Sequence, residues 1–64
     1  GKVEYFCKVK KKHRIDEKDI SVAYMEAQIQ KLPLLFLYTN QITKKAEDMI
    51  KTGAFSNAVV RKIE

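Results

Sequence analysis

The chain has 64 residues, with thirteen Lys and Arg against eight Asp and Glu for a formal net charge of +5 at pH 7, and it carries one cysteine, Cys7, and one histidine, His13. A chain this short buries only about 60% of the surface that it exposes when unfolded, so the expectation is one small, marginally stable domain over residues 1–64, or a fragment of a larger protein. One Cys closes no internal disulfide, and one Cys with one His does not complete a tetrahedral zinc site, which leaves association or flanking sequence as the supplement to a small core.

No apolar run approaches the roughly 20 residues that span a bilayer, and no charged-then-apolar signal opens the chain, so no membrane partner is expected. A free Cys without a signal peptide points to the cytoplasm. The chain starts at Gly1, from which the natural protein is expected to continue upstream.

From Val3 to Lys11 the residues alternate as in a strand. Val3, Tyr5, Cys7 and Val9 are expected to form the core face, with Glu4, Phe6, Lys8 and Lys10 on the other. That second face is charged apart from Phe6, which makes it the face on which to seek chemistry. Lys11 to Arg14 read as a loop or a protruding strand end.

Asp16 is a candidate helix N-cap, and Glu17 and Asp19 suit the positive end of the helix dipole. The helix is expected to run to about Lys31, because Pro33 restricts Leu32 to extended geometry. Its apolar residues form two stripes: Ile20, Ala23, Tyr24 and Ala27 on one side, and Val22, Met25, Ile29 and Leu32 nearly opposite. One stripe covers the sheet; the other asks for a second cover, from the second helix, a partner subunit or sequence outside this chain.

Leu34 to Thr39 is a continuous apolar run of the type found in a central parallel strand buried on both faces. Thr39, Asn40 and Gln41 form the next turn. Thr43 caps a second helix over Lys44–Thr52 with Ala46, Met49 and Ile50 inward, and Gly53 ends it in left-handed geometry. After a turn at Ser56 and Asn57, Ala58 to Ile63 reads as the last strand.

The predicted class is therefore α/β: a three-stranded, mainly parallel sheet in βαβαβ order with two helices. Ligands of such sheets gather outside the carboxyl ends of the strands. Two of those ends here are Lys10 to Arg14 and Thr39 to Thr43, the latter leading into a helix N-terminus whose free N–H groups suit a phosphate.

Charge concentrates at the first end. Between Lys8 and Lys18 stand Lys8, Lys10, Lys11, Lys12, Arg14 and Lys18 against Asp16 and Glu17, a local balance of +4. Such a cluster attracts polyanions, of which nucleic acid is the commonest inside cells; the alternative is that lysines keep a small domain soluble and guard an edge strand.

Two strings, Phe-Cys-Lys-Val-Lys at 6–10 and Leu-Tyr-Thr-Asn-Gln-Ile-Thr-Lys-Lys-Ala at 37–46, together with the order of elements, resemble the carboxyl-terminal half of the Mrr-like branch of the restriction-endonuclease-like superfamily. The resemblance implies a partial fold of that type, a DNA partner and, for a cutting enzyme, carboxylates holding a divalent ion such as Mg²⁺ beside a Lys that positions the attacking water. Lys8 matches that Lys. Two positions earlier, where the family has Glu or Gln, stands Phe6, and Glu4 lies one further step back on the same face. The upstream acidic strand of the family is absent, and Asp16-Glu17-Lys18 has the motif spacing but falls at a helix start. The chain is thus expected to need no cofactor and not to cut by itself.

Phosphate contacts are expected from Lys8, Lys10, Lys11, Lys12 and Arg14, then from Lys44 and Lys45. His13 and Cys7 have no partner in sequence for metal or nucleophilic chemistry, and Cys7 is expected in the core. Phe6, on the charged face, is expected to be covered by another element or else to stack on a base or ring. Three readings remain: a DNA-binding domain, a protein-interaction or oligomerisation domain using Val22, Met25, Ile29 and Leu32, and a nuclease in which Glu4 and Lys8 are completed by carboxylates from elsewhere.

Overall fold

A computed structural model describes residues 3–63; Gly1, with the expectation attached to it, Lys2 and Glu64 lie outside the described residues. In chain order the elements are β1 (Phe6–Lys10), β2 (Arg14–Ile15), α1 (Glu17–Ile29), β3 (Leu34–Tyr38), β4 (Gln41–Ile42), α2 (Lys44–Lys51) and β5 (Ala58–Lys62). β1, β3 and β5 form one parallel sheet with β3 in the middle, and β2 and β4 form a separate parallel pair. The α/β class and the three-stranded parallel sheet with interleaved helices are as the sequence predicts.

The ladder register puts Phe6 beside Leu34 and Lys10 beside Tyr38 on one side of β3, with Ala58 and Lys62 beside the same two residues on the other. β1 is shorter than the expected Val3–Lys11. The cause lies in its partner: Pro33 accepts the Phe6 N–H through its carbonyl at 2.8 Å but has no N–H to return, so the ladder cannot extend toward Val3.

Both helices lie on one face, as right-handed crossovers to successive neighbours require. Beneath them Ile15, Ile20, Ala23, Ala27, Leu34, Phe36, Ala46 and Phe55 make the core, with Phe6, Tyr24, Tyr38, Ile42, Met49, Ile50, Ala58 and Val60 packed against it. The inward positions expected of α2 are therefore the observed ones. Tyr24 and Phe55 meet edge to face with ring centroids 5.5 Å apart, and the Tyr24 hydroxyl donates to the Ser56 carbonyl at 2.8 Å.

Three expectations are corrected. The face of β1 with Tyr5, Cys7 and Val9 is exposed, and Val3 before it is exposed too; it is Phe6, Lys8 and Lys10 that turn toward the helix side and are half-buried. A lysine on the covered face is tolerable because its aliphatic stem packs while the ammonium reaches out. β3 is not buried on both faces: Leu34 and Phe36 are fully buried, whereas Leu35 and Leu37 are half-buried. Leu32 does not continue the outer stripe of α1, because the helix ends at Ile29 and Leu32 turns in to line a cleft of about 280 Å³ with Tyr24, Ala27, Gln28, Lys31, Ser56 and Asn57.

Both helices end in the same motif. At α1, Lys31 N–H donates to Gln28 O and Leu32 N–H to Ala27 O; at α2, Gly53 N–H donates to Ile50 O and Ala54 N–H to Met49 O. These are Schellman ends, with Lys31 at φ 58° and Gly53 at φ 83° in the left-handed region.

Candidate nucleic-acid interface

Because β1 and β3 are parallel, their carboxyl ends open on the same edge. Beyond Lys10 and Tyr38 the two chains meet again. Arg14 pairs with Gln41 and Ile15 with Ile42; Gln41 N–H donates to His13 O at 3.2 Å, and Thr43 N–H to Ile15 O at 3.0 Å. Ile15 is fully buried and anchors the pair in the core. The Asn40 side-chain amide donates to Lys12 O at 3.1 Å. The segment expected to be a loop or a strand end is therefore a loop closed by a second short strand, held along Thr39–Thr43.

Each short strand runs into a helix start on this edge. Asp16 caps α1: its carboxylate accepts the Asp19 N–H at 3.0 Å, and the Asp19 carboxylate accepts the Asp16 N–H at 3.0 Å, a reciprocal capping box. Thr43 caps α2, its hydroxyl oxygen accepting the Ala46 N–H at 3.2 Å.

The basic residues named from sequence divide into two groups. Lys12 is tied: its ammonium lies 2.9 and 3.2 Å from the two Asp19 carboxylate oxygens. The hydrogen bond to Asp19 holds the Lys12 ammonium above the usual lysine value. Desolvation alone would raise the Asp19 carboxyl, but the Asp16 N–H and the Lys12 ammonium outweigh it and hold that carboxyl below its ordinary value. Lys8 pairs with Glu26 across the β1–α1 interface at 3.6 Å, where it offsets a Glu26 oxygen that is buried without a hydrogen bond. Lys44 faces Asp48 and Lys45 faces Glu17, each at 3.9 Å and with the lysine side chains well exposed. Among the described residues, Lys10, Lys11 and Arg14 make no ion pair. Lys11 and Arg14 are exposed, and Lys10 is half-buried at the strand end.

The suggested catalytic pair is not brought together. Glu4 is exposed ahead of β1, and Lys8 takes Glu26 as its partner instead. The divalent ion that the family resemblance implies for a cutting enzyme does not fit these side chains: Phe6 occupies the ligand position and packs toward the core, and no cluster of three or more His, Cys, Asp or Glu suited to a metal occurs among the described residues. Cys7 is a free, exposed thiol rather than a core residue. Val22, Met25 and Ile29 form the outer, solvent-facing stripe of α1 at 61%, 64% and 79% exposure, while Leu32 stands apart from them.

Three participants were missed by sequence reasoning. Asn40 was read only as a turn residue, and the β2–β4 pair is too short to carry a period. Asp19 was read as a dipole partner, although its spacing from Asp16 is that of a capping box and its pairing with Lys12 follows once the loop folds back over the helix start. Among the described residues no helix is long and apolar enough to cross a membrane. No family model, curated protein or solved structure matches the chain.

Proposed function

We propose that this domain binds duplex DNA through the edge formed by Lys10–Arg14 and Thr39–Thr43, as the DNA-facing part of a cytoplasmic, Mrr-like, restriction-endonuclease-like protein, and that it does not complete a cutting site from its own residues. One observation carries the reading. The β2–β4 pair closes the segment that holds Lys10, Lys11 and Arg14, none of them paired with a carboxylate among the described residues, on one edge beside the capped start of α2 with its exposed Lys44 and Lys45. Contacts of this type are made to phosphates, so affinity is expected to depend on salt and only weakly on sequence.

Three phosphate contacts correspond to a salt slope of roughly −3, which makes binding about 40-fold weaker at 200 mM than at 50 mM salt. The test is fluorescence anisotropy of a short duplex at those two concentrations, with Lys10→Glu plus Arg14→Glu as the control. Salt-sensitive binding that the charge reversal removes supports the reading. Affinity unchanged by the reversal refutes it.

The outer stripe of α1 favours a second reading, association with a second copy of the chain. Val22, Met25 and Ile29 are large, apolar and mostly exposed on one helix face. Sedimentation equilibrium is expected to show a concentration-dependent mass that Met25→Glu reduces to that of the monomer. A wild-type mass constant at 7.4 kDa up to millimolar concentration sinks this reading.

A further inference from the structure

Asp19 is a puzzle for a DNA-binding edge: it places a carboxylate within the basic cluster, where bulk electrostatics would favour its absence. Its geometry offers a different role. The Asp19 side chain is only 15% exposed, and one of its oxygens is already held by the Asp16 N–H at 3.0 Å, so the carboxylate is fixed before Lys12 meets it. Lys12 sits at the middle of the segment between the end of β1 and the start of β2, and it is gripped from two sides. Its ammonium is bound by both Asp19 oxygens, and its carbonyl accepts the Asn40 amide. Among the described residues, the neighbours Lys10, Lys11 and Arg14 have no such restraint on their own charges.

We infer that Asp19 is a positioning residue for DNA binding: by holding Lys12 against the start of α1, with Asn40 holding the same residue from β3's side, it sets the course of the Lys10–Arg14 loop and so aligns Lys10, Lys11 and Arg14 along one edge. Lys12, expected from sequence to touch phosphate, acts as a strut and not as a ligand. The inference rests on the DNA-binding reading above, which it deepens. With the Lys12 side chain 48% exposed, solvent screening keeps the contribution of the pair to global stability small. Its effect here is local, in restricting a loop that would otherwise have to be ordered when DNA binds.

The sign of one substitution separates positioning from electrostatics. Asp19→Asn keeps an oxygen for the Asp16 N–H and removes the charge that holds Lys12, raising the formal net charge from +5 by one unit. Bulk electrostatics then requires tighter DNA binding. Positioning requires weaker binding, by about fivefold, the scale of ordering one further long side chain. The double variant Lys12→Gln, Asp19→Asn restores the wild-type net charge; on electrostatics alone it returns to wild-type affinity, and on positioning it stays as weak as the worse single variant.

Amide hydrogen exchange of the free proteins gives a readout that needs no DNA. The Gln41 and Thr43 amides, bonded to His13 O and Ile15 O, are expected to exchange about tenfold faster in Asp19→Asn if the loop loosens, whereas the Phe36 amide in the central strand keeps its rate and shows that the fold is intact. If wild-type protein binds DNA and Asp19→Asn binds it more tightly with unchanged exchange, the DNA reading stands and the positioning role is overturned. If wild-type protein does not bind DNA but the Gln41 and Thr43 amides loosen in the variant, the loop latch stands and the DNA reading falls.

Discussion

Under the helices, Leu34 and Phe36 of β3 are fully buried, while on the other face of the same strand Leu35 and Leu37 are half-buried and their β1 neighbours Cys7 and Val9 are exposed. Composition does not separate the two faces. Cys7, Val9, Leu35, Leu37 and Val59 are as apolar as the residues that the helices cover, and the covered face even includes Lys8. What separates them is connectivity: two successive crossovers of one hand deliver both helices to one side, and none of the described residues covers the other. Parallel sheets in larger proteins are normally covered on both faces, so the bare face here has the residue content of a buried one.

The sharpest break of this comparison is a pair of truncations on one strand. Phe36→Ala is expected to cost about 3–5 kcal/mol through lost burial and a residual cavity. A domain of this length has a total stability on the order of 3–10 kcal/mol, so the variant is largely or wholly unfolded. Leu37→Ala, one residue along and on the bare face, is expected to cost roughly 1 kcal/mol, since its side chain is already half in water and leaves no enclosed cavity. Urea unfolding followed by circular dichroism measures both. Equal costs would mean that the bare face is covered in solution, and the loss at Leu37 would then vary with protein concentration if the cover were a second copy.

The same contrast explains what was legible in the sequence. Alternation along Val3–Lys11 states which side chains share a face but not which face a helix will cover, and the apolar count favoured the wrong one. The deciding contacts, Phe6 against the core and Lys8 against Glu26, come from residues far along the chain. Signals that were local read through correctly: the Asp16 and Thr43 caps, the inward Ala46, Met49 and Ile50, and the left-handed Gly53. At the candidate interface the charge cluster was legible for the same reason. The division of that cluster into tied and untied lysines was not, because Lys12 meets Asp19 only after the loop closes onto β4, and two-residue strands leave no pattern to recognise.

The two helix ends make a smaller comparison of the same kind. They share one hydrogen-bonding motif, yet α2 meets it with Gly53 and α1 with Lys31. A left-handed conformation costs an L residue with a side chain about 1–2 kcal/mol, and glycine's larger entropy loss on folding returns part of that difference. Pro33 explains why the helix stops, but without a glycine the sequence does not reveal that Lys31 is the residue that turns it. Lys31→Gly is therefore expected to stabilise the domain by about 0.5–1 kcal/mol, read as a higher urea midpoint at unchanged slope. The opposing contribution is the packing of the Lys31 stem in the cleft beside Tyr24 and Leu32. A lower midpoint would show that this packing outweighs the backbone strain, and that the α1 end is held by its side chain where the α2 end is held by its backbone.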